Sequence, residues 1–377
     1  MITKDLELVE LLKKYEISGM SVLHTNQEKI DYFLQLGYED LENSKLTTDH
    51  TIYRIASVSK VIVALGIMKL VEDGILDIYE DISKYLGYQV RNPHHPDVKI
   101  TLEMIMTQTS SLCDGNQDST GYDGVNGKMM DVSLERLLTD PSYEYYDEKT
   151  FTKAVPGSTW LYSNLGCGIL ACVIEKVTGK LFTTYIKEIL LDPLGIDGGF
   201  RVDQVKDTAS IASLYDFDGK KLRLCRDKEM FFEIMYPIYS LGDNFRGPAG
   251  GLFINASDLA KIMLMMINKG KYGNQLLYKP STIEFMEQVH WKGIAYDPSY
   301  RAKGLQLNLL DGFSKETLKG HFGCAYGLRS FMLYNRNNGY IFLCNGADYH
   351  GFGDHMVKME EELLNYLITK FEGEKVE

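Results

Sequence analysis

Three things are scarce in this sequence. No apolar run approaches the roughly 20 residues that a bilayer-crossing helix needs, so no such span is expected. Cysteines number six, at positions 113, 167, 172, 225, 324 and 344, and none pair as CxxC. In a chain of 377 residues, long enough to do without covalent staples, they read as reduced thiols. Positive charge is also in deficit, the net charge being −12, which argues against nucleic acid or anionic membrane as a partner. The opening Met-Ile-Thr-Lys-Asp-Leu-Glu-Leu-Val-Glu lacks the basic-then-apolar order of a secretory signal, so a cytoplasmic location is expected.

What is present is an ordinary globular composition, 45% hydrophobic and 24% charged, spread over more residues than one core comfortably holds. A two-lobed unit is expected. Periodicity and punctuation place helices over 5–16, 60–72, 100–107, 165–177, 181–195 and 256–268, with a closing helix striped by Met356, Met359, Leu363, Leu367 and Phe371. Strands are expected at 19–25, 29–37 and 51–55, and again at 305–310, 318–323, 328–334 and 340–345. Strands thus occupy both ends and helices the middle. The polar, glycine-rich stretch 113–128 reads as a flap over a site or as plain surface loop. His94-His95 lie next to each other, point in different directions and have no third ligand nearby, so no metal is expected.

The chain is organised around Arg54-Ile55-Ala56-Ser57-Val58-Ser59-Lys60, followed at once by the apolar run Val61 to Met68. Residues three apart at the start of a helix share a face, which puts the Ser57 hydroxyl within reach of the Lys60 amine. A serine hydroxyl is a weak nucleophile at neutral pH and needs an adjacent base, and a lysine can serve where its surroundings favour the neutral amine. A helix start adds a dipole that disfavours an ammonium and N–H groups that favour an oxyanion. Alone, such a pair is common. Its force comes from two further motifs: Tyr162-Ser163-Asn164, where a tyrosine and an asparagine can share a cleft, and His321-Phe322-Gly323, where His321 and Gly323 face the same side of a strand. There the glycine would let a substrate lie against the backbone, and the Cys324 N–H could join Ser57 N–H in an oxyanion hole. A second YxN, Tyr272-Gly273-Asn274, stands in a loop and is taken as coincidence.

Ser57-x-x-Lys60, Tyr162-x-Asn164 and His321-x-Gly323, in this order and wide spacing, resemble the signature elements of the penicillin-recognising serine hydrolases. The flanks resemble more specifically the class C β-lactamase-like family, which includes D-alanyl-D-alanine carboxypeptidases, D-aminopeptidases and esterases: Tyr53 to Lys60, Pro156-Gly157, Glu175 to Gly179, Asp192 to Gly195 and Ala249 to Phe253. The resemblance implies an α/β (α+β) fold, an antiparallel sheet flanked by helices, with residues 1–90 and 270–377 forming the sheet domain and 91–269 a mainly helical lobe inserted between them. It implies an acyl-enzyme on Ser57, with Lys60 and Tyr162 exchanging the proton, the Ser57 and Cys324 N–H groups holding the oxyanion, and Asn164, His321 and Gly323 orienting substrate. Neither metal nor organic cofactor is implied, and the partner is a small ester, amide or peptide-like molecule.

Two departures stand out. Gln108-Thr109-Ser110-Ser111 replaces His-Thr-Ser-Gly, which would alter the wall of the entrance. Phe322 replaces a hydroxyl residue that binds a substrate carboxylate, so an esterase or amidase acting on a small, fairly apolar acyl group is expected. The alternatives are D-aminopeptidase, D-Ala carboxypeptidase or β-lactamase activity, and a catalytically silent ligand-binding member.

Overall fold

The computed structural model describes residues 5–115, 119–235, 237–293, 301–348 and 356–373. Among them, nine strands form one antiparallel sheet in the order Trp291–Lys292, Ala302–Lys303, Asn308–Leu310, Leu318–Ala325, Leu328–Tyr334, Gly339–Cys344, Gly19–Thr25, Ile30–Asp40 and Lys45–Leu46. The two ends of the chain meet at its centre, where Met20 pairs with Cys344 and His24 with Tyr340. Short polar turns fold the hairpins. At 335–338 the Asn335 side chain accepts from the N–H groups of Asn337 and Asn338.

Alternation along these strands builds two cores. Met20, Val22, Phe322, Phe331, Leu333 and Phe342 project from one face onto the terminal helices Leu6–Lys14 and Lys358–Glu372. Leu23, Met332, Ile341 and Leu343 project from the other into an apolar cluster that continues without a break through the central helices. At its heart is the serine helix, Ser59–Glu72, in which Val61 to Met68 are all buried. A helix apolar all round has no solvent face, which is why it runs inside the molecule. Among the described residues no helix is long and apolar enough to cross a membrane.

Most of the expected elements form, with instructive exceptions. The strand expected at 305–310 is only Asn308–Leu310, because Gln306 takes a left-handed φ of 54° and its N–H bonds to the Met106 carbonyl, turning the chain. The helix expected at 181–195 is Phe182–Ile186 followed by a wide turn over Lys187–Leu191, where Asp192 N–H reaches back to the Lys187 carbonyl. Helices Leu134–Thr139, Lys228–Met235 and Pro280–Met286, and the strand Phe253–Asn255, have too little pattern in the sequence to be read there. Residues 116–118 of the stretch 113–128 lie outside the described residues. In the rest of that stretch Gly121–Val125 is a short helix with Tyr122 and Val125 buried, while Ser119 and residues 126–128 are exposed.

Candidate active site

The nucleophile candidate stands on a turn gripped from three sides. Strand Ile52–Arg54 pairs with Phe253–Asn255, and the chain then bends sharply at Ala56, whose φ of 47° is left-handed, a conformation costing roughly 1–2 kcal/mol for a non-glycine residue. One 3₁₀ turn, Ala56–Val58, leads into the serine helix. The bend is clamped by Ile55 N–H to the Leu252 carbonyl (2.9 Å), Leu252 N–H to Ser59 Oγ (3.1 Å) and Ser330 Oγ–H to the Ile55 carbonyl (2.8 Å). Strain this well surrounded belongs to a position whose geometry matters.

Lys60 is fully buried. Its Nζ lies 2.9 Å from Ser57 Oγ, 2.8 Å from Asn164 Oδ1 and 2.9 Å from the Ala249 carbonyl, and 4.7 Å from the centre of the Tyr162 ring. The Tyr162 ring in turn stands 6.3 Å from that of His321. His321 is buried beneath this group with Nδ1 2.6 Å from the Phe322 carbonyl. Burial first, then the nearby Lys303 and Lys60, hold its pKa well below the usual histidine range, so the ring is neutral near pH 7.

Gly323 also has a role within the fold. A Cβ there would stand 2.3 Å from Ser330 Oγ, 2.6 Å from the Ile55 carbonyl and 3.1 Å from Ser57 N. The glycine therefore lets the strand Leu318–Ala325 press against the nucleophile turn, next to the Ser57 backbone. Phe322 also differs from expectation. Its side chain is buried in the core on the far side of the sheet, edge-on to Phe331. It does not line the cleft, so a preference for apolar substrates cannot be drawn from its missing hydroxyl.

Two positioning residues escape a reading of the sequence. Asp114 accepts four hydrogen bonds: from Ser163 Oγ–H (3.0 Å), Asn164 N–H (3.0 Å), Asn164 Nδ2–H (2.8 Å) and Leu165 N–H (2.9 Å). Its carboxylate caps the helix Asn164–Thr178 and, by holding the NH₂ side of the Asn164 amide, turns Oδ1 toward Lys60. Gln108 brackets Tyr162, its carbonyl accepting from Leu161 N–H (2.7 Å) and its Oε1 from Ser163 N–H (2.8 Å). The segment Gln108 to Ser111 is buried throughout. It is thus a strap behind the tyrosine and not a wall of the entrance. The only signals were that Asp114 falls in the stretch singled out as a flap and that Gln108 departs from the family pattern.

Of the residues singled out from the sequence, the structure brings Ser57, Lys60 and Asn164 into direct contact, with Tyr162 and His321 against them and Gly323 beside the Ser57 backbone. The second YxN stands apart in a small hairpin of Lys271–Tyr272 and Gln275–Leu276. His95 has its Nε2 2.9 Å from the Lys153 carbonyl.

The chain is 30% identical over 183 residues to Protein flp of Staphylococcus aureus (strain N315), a match covering 48% of this chain but only 34% of that protein. Among solved structures it is similar to the octameric penicillin-binding protein homologue from Pyrococcus abyssi, with a TM-score of 0.77, 24% identity and coverage of 99% of this chain and 78% of that one. It is also similar to the D-amino acid amidase from Ochrobactrum anthropi SV3, with a TM-score of 0.71, 18% identity and coverage of 98% and 97%. The Beta-lactamase family model matches residues 7–356, almost the whole chain, and on that ground the chain belongs to the Beta-lactamase family.

Proposed function

We propose that the protein is a serine hydrolase that forms an acyl-enzyme on Ser57 and acts as an esterase or amidase on a small acyl substrate. The observation that carries this reading is the placing of Lys60 Nζ, 2.9 Å from Ser57 Oγ and equally near two carbonyl-type oxygens, Asn164 Oδ1 and Ala249 O. Those two oxygens can only accept. A neutral amine has two N–H bonds and one lone pair, so donating to both leaves the lone pair for the Ser57 hydroxyl proton.

In acylation the Ser57 oxygen attacks the substrate carbonyl as its proton passes to Lys60 or Tyr162, and the N–H groups of Ser57 and Cys324 receive the oxyanion. The proton then goes to the departing alcohol or amine. Water repeats the sequence in reverse roles, releasing the acid and restoring Ser57. Asn164 keeps Lys60 in place, and His321, uncharged, backs Tyr162 without competing for the proton. The scheme draws on these side chains alone and calls for no cofactor.

Burst kinetics test the reading. With p-nitrophenyl acetate and butyrate, a burst of p-nitrophenol equal to the enzyme concentration is expected from the wild type. Ser57→Ala should show none while keeping its unfolding midpoint. Faster turnover of nitrocefin or of D-amino-acid amides than of either ester would replace the esterase reading with a β-lactamase or peptidase. A burst that persists in Ser57→Ala would remove Ser57 from the mechanism.

A further inference from the structure

A cavity of about 110 Å³ opens beside the nucleophile turn, and its lining is cationic in a chain whose net charge is −12. At roughly 10–15 Å³ for each water-sized position, it has room for a small molecule of about ten non-hydrogen atoms. Arg54, Arg226 and Arg246 line it together with Tyr326, Tyr122 and Phe231. Arg54 lies three residues before Ser57, and Tyr326 two residues after Cys324, so its walls are continuous with the turn and strand that frame the catalytic serine.

The three guanidiniums are incompletely satisfied. Arg54 Nη1, Arg226 Nε and Arg246 Nε are buried without an acceptor among the described residues, and none of the three arginines forms an ion pair there. Arg246 is anchored from behind, donating to the Lys128 (3.0 Å) and Met130 (2.6 Å) carbonyls. Among the described residues the one carboxylate in the lining, Glu175, is already occupied by the N–H groups of Gly242 (2.7 Å) and Phe182 (3.0 Å) and by Asn244 Nδ2 (3.1 Å). Buried N–H donors of a charged group without acceptors cost free energy. An anion in the cavity would offset the charge that these side chains bring to its lining.

Tyr326 is an independent sign that this arrangement is built. With φ of 53°, followed by Gly327 at 82°, it occupies the two-residue turn between Leu318–Ala325 and Leu328–Tyr334, where glycine or asparagine would be unstrained. The strained tyrosine lies under two cations, the Arg54 guanidinium 5.3 Å and the Arg226 guanidinium 4.7 Å from its ring centre. Its ring lies against two like charges.

We propose that this cavity binds the carboxylate of a small substrate with an apolar or aromatic body, Arg54 and Arg226 taking the carboxylate and Tyr122 and Phe231 the body. This rests on the reading of Ser57 as nucleophile and adds to it the class of molecule that Ser57 meets. A guanidinium fork suits two coplanar oxygens, and the aromatic side chains suit an apolar body beside them.

Calorimetry on Ser57→Ala tests the pocket without turnover, using phenylacetate, its neutral counterpart 2-phenylethanol, and inorganic phosphate. Phenylacetate is expected to bind at least tenfold more tightly than 2-phenylethanol, with the preference lost in Ser57→Ala/Arg226→Met and weakened by added salt in Ser57→Ala itself. In the wild type, phenylacetate is expected to inhibit p-nitrophenyl butyrate hydrolysis competitively. Equal binding of acid and alcohol would overturn the proposal, as would tighter binding of phosphate or inhibition that is not competitive. The salt series keeps the proposal falsifiable should Arg226→Met fail to fold. A protein that binds phenylacetate as described but hydrolyses no ester would retain the anion pocket and lose the nucleophile reading, and with it the claim that the anion is substrate.

Discussion

Two groups of cationic side chains stand near the nucleophile turn, Lys60 fully buried and the arginines partly so, and they are finished to different degrees. Around Lys60 the protein supplies oxygens at 2.8–2.9 Å, and Asp114 fixes the orientation of one of them. Around Arg54 and Arg226 it supplies an aromatic ring and leaves N–H groups without acceptors. If Lys60 is the base, as proposed, it is preorganised in the free protein, and reorganisation during reaction would raise the barrier. On the proposed reading of the cavity, the second arrangement is completed by a bound carboxylate.

The largest expected effect comes from breaking the finished side. Lys60→Met keeps the length and burial of the side chain but removes the amine, and turnover of p-nitrophenyl butyrate should fall by about 10³-fold or more. A loss below tenfold would show that Lys60 is not in the proton path.

A smaller effect is expected one layer out. Asp114→Asn replaces one of two acceptor oxygens by an NH₂ group facing donors, so the Asn164 amide should flip and present its own NH₂ to Lys60. We expect kcat to fall roughly ten- to a hundredfold with KM nearly unchanged, and urea unfolding to show a loss of about 1–2 kcal/mol from the damaged helix cap. Equal loss in kcat and stability without the kcat-against-KM split would mean a purely structural role.

The smallest concerns His321, a titratable group that burial keeps uncharged where the arginines must stay charged. Its folded pKa lies below the unfolded value near 6.5. Below that pH the unfolded chain therefore binds a proton that the folded chain does not, and stability falls as pH drops, by up to about 1.4 kcal/mol per unit. Urea unfolding between pH 5 and 7 should show this slope in the wild type, and His321→Gln should reduce it. An unchanged slope would assign the acid sensitivity to other groups.

How much of this could be read in advance varies by element. The serine helix, the hairpin strands and the capped helix Ala256–Ile267 follow from periodicity and cap chemistry, which act over a few residues. The wide turn at Lys187–Leu191 and the bend at Gln306 arise where distant packing overrides local preference, and no short-range pattern marks them. Asp114 was hidden for the same reason. The three residues that donate its four hydrogen bonds lie about 50 residues away. Arg54 was in plain view within the leading motif, yet only its surroundings, two further arginines and a strained tyrosine from distant segments, give it meaning.

By itself, then, the sequence determined the pairing of Ser57 with Lys60 and of Tyr162 with Asn164, because their spacings along the chain are fixed by local geometry. Only the tertiary structure decided what each faces: that Phe322 looks away from the cleft, that Gly323 serves the backbone of the nucleophile turn, and that three arginines share a cavity. Those are matters of packing between segments far apart in the chain, where side-chain direction and charge environment are set by neighbours that the local sequence does not name.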